Sequence, residues 1–559
     1  MANPSKKQNF LQGAALLALS NVIVKVIGAV YKLPLSEIID DVGYSYFNTA
    51  YTIYTLMLTI ATTGLPIAMS RMISQAYSLG QYNRARQIYK ASRNIFLSLG
   101  MVCFLIMALF CKQLADAFRQ PDAWFAILCL APCSLLMGFI STYRGFFQGQ
   151  SNMRPTSVSQ VLEAICKLVV GLTLAYLLKE FTGSVALAAG GAILGVTASC
   201  LVSSGYIYGK FRPAYREMPV SHEEVEQFQK TVKELLSIAV PITVGSAGLQ
   251  LLSLVEIRIY MERLETLLSS GQIPEGLVQQ LCAEVQAMED YDPANHYTLM
   301  ASSMKGTYDF AYTIFNLPSS FIVPINTSVL PAITACLTLK DDNGVRSTEE
   351  SAARITGLLA LPCSIGLIVL AGPVMGLMRG YEGEKLQLAT ALMAVQGGST
   401  FFYCALMYTN VVLQSHGHAH IPVVNTLLCG VAKLGAVYIL TGNGNIHIVG
   451  EPISSVLCYF AILVLNLIAT SRRIPQKPKL VRNLLKPLLP SVVMGAAVLG
   501  CKYVMETFLD ISSNLIICAG GILVGVAVYA VLVVLTKGIT REDCLLLPKG
   551  DKIAKLLKL

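Results

Sequence analysis

Lysines within long apolar segments are the residues of this chain with the clearest capacity for chemistry. Lys25 and Lys433 each lie well inside such a segment, and neither has an acidic residue three or four positions away. A charge within a membrane costs roughly 2.5–3.5 kcal/mol on insertion scales, so it normally faces water, a partner or a bound ion. Lys25 therefore predicts a binding site for an anion, with a snorkelling lysine or an interhelical pair as the alternative.

Two further pairs of charged residues have helical spacing. Glu163 and Lys167 are four residues apart, as are Lys305 and Asp309. This spacing places both members of each pair on one face of a helix, where they can neutralise each other. Each pair is thus either part of a polar cavity or a self-paired couple that eases insertion into the membrane.

The remaining charges in the apolar segments need partners from elsewhere in the chain. Glu256 and Arg258 are only two positions apart, so they point to different sides of a helix. At least one of them is expected to face a cavity. For Lys433, the acid near the start of the next segment, Glu451, is a plausible interhelical partner.

Metal binding and catalysis receive little support from the motifs. His416, His418 and His420 form an alternating run in a predicted turn, and alternate histidines without an adjacent cysteine or acid in the sequence are a weak metal signal. The chain has no GxxxxGK[ST] loop for nucleotide phosphates and no legible pair of nucleophile and base. We therefore expect no enzyme activity, no bound metal and no cofactor.

The composition is that of a membrane protein with many spans. Of the 559 residues, 54% are hydrophobic and only 13% are charged, whereas a soluble protein has roughly 25% charged residues. Apolar runs long enough to cross a bilayer recur along the whole chain. We predict an all-α polytopic fold with about 14 spans, near residues 10–31, 43–75, 94–111, 123–143, 156–178, 184–208, 235–260, 299–337, 353–378, 386–414, 421–441, 446–470, 484–508 and 512–536.

Three features of these segments lead to further predictions. The second and eighth spans are too long for one straight crossing, and their prolines predict kinked or broken helices. With the N-terminus inside, the cytoplasmic segments hold 29 lysines and arginines and the outer segments hold 7. This split predicts a cell-membrane protein with both termini in the cytoplasm and explains the net charge of +9 without nucleic acid. The acidic segment 261–298 is placed outside.

The chain also repeats itself. Gln148 and Lys167 are 19 residues apart, as are Gln414 and Lys433. Pro155 and Pro422 open the apolar segments that contain these two lysines. We predict two parallel six-helix lobes, an architecture typical of transporters, with the substrate path between them. The predicted divisions are an N-terminal lobe at 1–208, a cytoplasmic linker at 209–234 with Ser221 as its helix N-cap, a C-terminal lobe at 235–470, and two added helices with a basic tail at 471–559.

Two stretches resemble a known family. They are TGLPIAMSRMISQAYSLGQYNRARQI and RGFFQGQSNMRPTSVSQVLEAICKL, followed more thinly by YTIFNLPSSFIVPINTSVLPAIT. They are similar to the stage V sporulation protein B group of Gram-positive bacteria, in the polysaccharide-transport branch of the multidrug/oligosaccharidyl-lipid/polysaccharide exporter superfamily. This resemblance implies 14 helices and export of undecaprenyl-pyrophosphate-linked sugar precursors for peptidoglycan, spore cortex or polysaccharide.

The resemblance also implies a set of substrate-binding residues. Related lipid II flippases hold the pyrophosphate with basic residues in the first, second and eighth spans. Lys25 occupies the position of the first-span cation and Lys32 lies near the second, whereas Thr313, ahead of Asn316, stands at the third, with Lys305 two turns earlier. Arg258 is a further candidate for binding the anion.

The expected partners are the lipid-linked glycan and membrane lipids, and one chain already contains both lobes, so we expect a functional monomer. Export could be coupled to the membrane potential or to Na+ or H+ at Glu256 or Asp309. The nearest alternative is a cation-coupled multidrug exporter of the same fold, which would need carboxylates where this chain has lone lysines. A membrane glycosyltransferase would need a catalytic outer loop, and a scaffold would not need charges at membrane depth.

Overall fold

Every regular element of the described chain is helical. The computed structural model describes residues 4–150, 152–219, 227–510, 513–536 and 538, with the backbone alone at 4–19, 241, 323–328 and 331. The helices are α1 (Pro4–Ile38), α2 (Asp40–Thr62), α3 (Gly64–Ser78), α4 (Tyr82–Leu109), α5 (Cys111–Ala117), α6 (Trp124–Gly149), α7 (Arg154–Thr182), α8 (Val185–Arg216), α9 (Phe228–Ser269), α10 (Glu275–Gln286), α11 (His296–Thr338), α12 (Asp342–Val369), α13 (Ala371–Arg379), α14 (Gly383–Ser415), α15 (His420–Thr441), α16 (Gly450–Arg473), α17 (Leu480–Leu485), α18 (Leu488–Thr507) and α19 (Asn514–Leu535).

Eleven helical segments of the described chain are long and apolar enough to cross a membrane. The predicted spans that are not among them coincide with α1, α11 and α14, which have 35, 43 and 33 residues. Each of these three helices carries polar or charged residues in its interior. The chain is therefore a multi-pass, all-α membrane protein, while the number of 14 spans stays a prediction.

The two spans predicted to be kinked or broken behave differently. The second is divided at Thr63 into α2 and α3, so the prediction of a break is confirmed there. The eighth, α11, runs as one helix from His296 to Thr338 despite its three prolines, so it is not broken, while a kink there stays a prediction. At 1.5 Å per residue α11 is about 64 Å long, roughly twice the thickness of the hydrocarbon core.

The break between α2 and α3 has a packing cause. The backbone of α9 approaches Gly64 so closely that a Cβ there would overlap the carbonyl of Ala239. The Gly64 amide also donates a hydrogen bond to the Thr243 hydroxyl at 3.3 Å. Only glycine permits this approach, which satisfies one of the amides left open where α3 begins.

The chain forms two compact units, each containing one copy of the sequence repeat. The first comprises residues 1–265 and 282–306, and the second comprises 266–281 and 307–559. In the first, Gln148 is the penultimate residue of α6; in the second, Gln414 is the penultimate residue of α14. The following proline lies within the first three residues of α7 and of α15. The boundaries at 208 and 470 that we predict for lobes remain a prediction.

The core of the first unit is rich in aromatic rings. Tyr89, Tyr143, Phe146 and Phe211 pack together where α4, α6 and α8 meet, with ring centroids 4.6–6.3 Å apart. Leu235 of α9 is buried in the same cluster. Phe211 and Met218, which belong to the predicted linker at 209–234, lie in the same cluster, so the linker contributes to this core. Ser221 lies outside the described residues.

The second unit attaches the last helices through a proline in α12. Pro362 has no amide hydrogen, so the carbonyl of Leu358 loses its donor within the helix. The Tyr529 hydroxyl of α19 donates to that carbonyl at 2.7 Å. Nearby, a Cβ on Gly357 would overlap the backbone of Leu484 in α17, so α12 also packs closely against the segment that leads into α18.

The close approach at Gly64 leads to a stability prediction. We expect Gly64→Ala to destabilise the protein by about 1–3 kcal/mol, because the added methyl group must displace α9. Gly205→Ala is the matched control, since no described atom lies within 4 Å of a Cβ at that position. Thermal denaturation of the purified protein in detergent measures both; equal midpoints would contradict the packing argument.

Candidate functional site

One face of α1 carries a polar stripe formed by Asn21, Lys25, Gly28 and Lys32, whose spacing of four, three and four residues aligns them along the helix. Asn21 and Lys25 are exposed, and Lys32 is partly buried. Lys25 forms no ion pair with any described residue. Apart from α1 itself, no described atom lies within 4 Å of the position of a Cβ on Gly28. Around Lys25 and Gly28 the stripe therefore borders space that no described residue fills.

The opposite face of α1 is apolar and also exposed. Ile23, Val26 and Val30 are 39%, 42% and 50% exposed; Ile23 and Val30 lie nearly opposite Lys25 around the helix, and Val26 lies beside them. A membrane helix with an apolar exposed face suits lipid on that side. Its charged face requires water or a polar ligand instead, because hydrocarbon does not solvate an ammonium group. The two faces of α1 thus fit two different environments.

Between these two faces, α1 packs against the rest of the first unit. Tyr31 is 1% exposed, and its hydroxyl donates to the carbonyl of Ala192 in α8 at 3.2 Å. The ammonium of Lys167 in α7 lies 4.9 Å from the centre of the Tyr31 ring and 5.0 Å from that of Tyr51 in α2. These cation–π contacts stabilise the lysine and hold α1 against α2 and α7.

The predicted local pair of Glu163 and Lys167 is replaced by a pair between helices. Glu163 accepts from Arg144 of α6, with Nη2 and Oε2 2.9 Å apart. Arg144 also donates to the hydroxyls of Ser159 and Ser203 at 3.0 and 3.3 Å. Glu163 and Lys167 thus form no direct ion pair: Arg144 bonds to Glu163, and Lys167 lies against the tyrosine rings.

The sequence block that begins at Arg144 has a structural role in the first unit. Phe146 and Phe147 are buried in the aromatic cluster, and a Cβ on Gly149 would lie 2.7 Å from the side chain of Ile73 in α3. Arg144, the two rings and Gly149 all contact neighbouring helices. These residues of the block fix the end of α6 against α3 and α7.

Two of the predicted anion-binding cations are engaged in contacts within the first unit. Lys305 is 1% exposed, and its ammonium donates to the carbonyl of Ser45 in α2 at 3.4 Å. Arg258 donates to the carbonyl of Ala117 at the end of α5 and lies 3.6 Å from Glu262 of its own helix. Glu256 is partly buried in the same helix. In this structure, Lys305 and Arg258 hold helices together.

The part of α11 in the second unit presents another row of polar residues. Asp309, Thr313 and Asn316 lie along one side of the helix. The Thr313 hydroxyl donates to the carbonyl of Asp309 at 3.0 Å, and the Asn316 amide donates to that of Tyr312 at 2.9 Å. Thr313 is 4% exposed, so it is less accessible than the stripe on α1.

The predicted partnership of Lys433 with Glu451 is confirmed. Nζ of Lys433 in α15 lies 3.0 Å from Oε1 of Glu451 in α16, and their side chains are only 14% and 2% exposed. Ser455 donates to the same carboxylate oxygen at 3.1 Å. This buried pair joins two helices and removes Lys433 from the candidates for binding an external anion.

A second buried pair was not predicted. Nε2 of His416 lies 2.8 Å from Oε1 of Glu349 in α12, with side chains 8% and 0% exposed. The sequence places these residues 67 positions apart, so no local spacing could reveal the contact. The signal in the sequence is weak: an acid in the first turns of α12, which precedes α14 and the histidine turn in the same unit. The first histidine of the turn is thus paired with an acid and packed into the second unit.

Comparison with known proteins decides the family. The profile of the polysaccharide biosynthesis protein family matches residues 10–336, more than half of the chain. The chain belongs to this family. The profile of the lipid II flippase MurJ matches residues 297–520, so the two matched regions overlap within α11. The resemblance found in the sequence is confirmed.

Individual relatives are similar to this protein along most of the chain. The lipid II flippase MurJ of Bacillus subtilis is 24% identical over 89% of this chain and 90% of that protein. The stage V sporulation protein B of the same organism is 22% identical over 97% and 98%. A solved structure of a lipid II flippase MurJ in an inward closed conformation matches with a TM-score of 0.64, at 12% identity, over 94% of this chain and 98% of that one. This likeness shows the fold.

The buried pair between α15 and α16 can be tested by a double-mutant cycle. We expect Lys433→Met to cost about 3–5 kcal/mol of folding stability, because it leaves Glu451 buried without its cation. The double variant Lys433→Met/Glu451→Gln is expected to recover most of this loss, as read from thermal denaturation of the purified protein.

The control for this cycle is Lys502→Met. Lys502 pairs with Glu506 at 3.8 Å on a more exposed surface, where loss of one partner changes stability by about 1 kcal/mol or less. If the double variant is no more stable than Lys433→Met, the two residues are not coupled in the way described.

Proposed function

We propose that this protein is a flippase that moves undecaprenyl-pyrophosphate-linked glycan precursors from the inner to the outer leaflet of the cell membrane. The family and the named activities of its relatives support a lipid-linked glycan as the substrate class. The precursor could serve peptidoglycan, spore cortex or another polysaccharide. The proposed orientation has both termini in the cytoplasm, as the distribution of cations predicts.

The observation that carries this proposal is the polar stripe on α1. A pyrophosphate cannot enter hydrocarbon unaided, because removing even one charge from water costs many kcal/mol. Lys25 is exposed and has no ion pair with a described residue, and Lys32 lies two turns further along the same face. Two ammonium groups at this spacing offer successive positions for an anionic headgroup. The apolar face on the other side of α1 leaves the prenyl chain free to stay in lipid.

The direction of transport follows from the sign of the headgroup charge. A membrane potential that is negative inside favours outward movement of an anion by roughly 2.3 kcal/mol per charge per 100 mV. Export by alternating access can then proceed without nucleotide hydrolysis. Glu256 and Asp309 remain the proposed positions for a coupled Na+ or H+, and a single chain is proposed to suffice for transport.

Charge at the stripe also separates this proposal from a multidrug exporter. Cationic drugs require carboxylates in the binding site, whereas the exposed polar groups on this face of α1 are Asn21 and Lys25. We do not assign four other predicted residues to the binding site in this conformation: Arg258, Lys305, Thr313 and Lys433. Their contacts in this structure are with the protein itself.

The role of Lys25 can be tested in proteoliposomes. We expect Lys25→Gln to weaken the apparent affinity for an undecaprenyl-pyrophosphate-linked disaccharide about 10-fold or more, the effect of losing one charged hydrogen bond. A headgroup-accessibility assay measures the fraction of substrate in the outer leaflet over time. Lys25→Arg is expected to retain much of the activity because it keeps the positive charge.

Lys502→Gln is the matched control, since it removes a lysine near the end of α18 and leaves the α1 stripe intact. Wild-type flipping by Lys25→Gln would contradict the assigned role of Lys25. Transport of a cationic dye without any flipping of the glycan lipid by the wild-type protein would overturn the proposed function and favour the multidrug exporter.

A further inference from the structure

A polar cavity lies along the first turns of α12, in the second unit and apart from the α1 stripe. It has a volume of about 270 Å³ and is lined by Asn343, Arg346, Ser347, Glu350 and Arg354. These residues recur every three or four positions, so one face of the helix forms the wall. The cavity contains two guanidinium groups and one carboxylate, together with an amide and a hydroxyl.

Arg354 is held in place at the inner end of this cavity. Its Nη1 donates to Oδ1 of Asn483 in α17 at 3.0 Å, and its Nη2 donates to the hydroxyl of Ser351 at 2.8 Å. Asn483 is itself fixed, because its amide donates to the carbonyl of Lys479 at 2.9 Å. A guanidinium that is oriented before ligand binding loses little conformational entropy when it meets an anion.

Arg346 contributes the accessible group. Its Nε donates to Oε1 of Glu350 at 3.0 Å, and its side chain is 43% exposed. Within the described part of the chain, its terminal nitrogens have no hydrogen-bond partner. Glu350 also accepts a hydrogen bond from the backbone amide of Lys479 at 3.0 Å. Its carboxylate is therefore shared between Lys479 and Arg346, and it bonds only Nε of the Arg346 guanidinium.

The segment beside the cavity is strongly basic and partly apolar. Residues 472–486 contain six lysines and arginines and no acidic residue. In α17, Leu480 and Leu484 are buried, whereas Val481 and Leu485 are 50% and 40% exposed. Exposed apolar side chains alternating with cations are typical of a helix that lies in the membrane interface.

We propose that this cavity binds the phosphate group of an anionic phospholipid, with Arg346 and Arg354 as its ligands and α17 lying among the neighbouring headgroups. Basic pockets between membrane helices on the cytoplasmic side recognise anionic headgroups in this way. The adjoining exposed side chains of Val481 and Leu485 favour a lipid over a soluble phosphate, since they provide an apolar surface for the acyl chains. Glu350 opposes the anion and limits its affinity.

The proposal can be tested with the full-length protein in a non-ionic detergent. Phosphatidylglycerol is titrated while the midpoint of thermal unfolding is followed, with phosphatidylcholine and glycerol 1-phosphate titrated in parallel. We expect phosphatidylglycerol to raise the midpoint with saturation, and Arg346→Gln to raise the half-saturating concentration about five-fold, the effect of one cation at a membrane surface.

Two further variants make the result specific. Arg473→Gln removes an equal charge from the same basic segment outside the cavity, and we expect it to leave the half-saturating concentration unchanged. Glu350→Gln keeps the acceptor oxygen but removes the opposing charge, so tighter binding is expected; this gain keeps the test decisive even if Arg346→Gln does not fold.

Each contrary result would overturn the proposal in a distinct way. Equal effects of Arg346→Gln and Arg473→Gln would mean that only the general surface charge matters. Saturation by glycerol 1-phosphate at the same concentration as the lipid would identify a soluble anion as the ligand. Equal stabilisation by phosphatidylcholine would mean that the headgroup charge is not recognised.

Discussion

A charged side chain within a membrane must meet water, an opposite charge or a polarisable ring, and this requirement governs how the helices of this protein pack. Arg144 meets Glu163 between α6 and α7, and Lys433 meets Glu451 between α15 and α16. Lys167 instead meets the rings of Tyr31 and Tyr51. In each case the partner lies on another helix, so satisfying the charge also fixes a helix–helix contact.

Lys25 on α1 departs from this pattern, and the departure gives the helix its functional interest. The same helix has an exposed charged stripe on one side and an exposed apolar face on the other. An amphipathic helix of this kind suits a cargo that is itself amphipathic, with a charged headgroup and a long hydrocarbon chain. Lys305 and Arg258 differ from Lys25, because these two cations bond to backbone carbonyls of neighbouring helices in the first unit.

The sequence predicted those features that depend on local spacing or on the presence of a breaker. Eleven membrane spans, the break between α2 and α3, and the partnership of Lys433 with a nearby acid follow from apolar length, a proline and short separation along the chain. The sequence did not predict that Glu163 pairs with Arg144, because Arg144 reaches it only through the packing of α6 on α7. The pairing of His416 with Glu349 depends likewise on tertiary contact across 67 positions. The three prolines of α11 do not end it, because a proline removes one hydrogen bond without always ending a helix.

The hydrogen bond from Tyr529 to the carbonyl of Leu358 has a consequence for biosynthesis. The acceptor carbonyl belongs to α12, whereas its donor lies 171 residues further along the chain. Because a ribosome releases the chain from its N-terminus, α12 enters the membrane long before α19 exists. Until the last helix is inserted, the carbonyl exposed by Pro362 lacks the donor that it has in the finished protein. The second unit therefore completes its hydrogen bonding only when the final span has been made, so a chain that stops short of α19 is left with a defect in the middle of the unit.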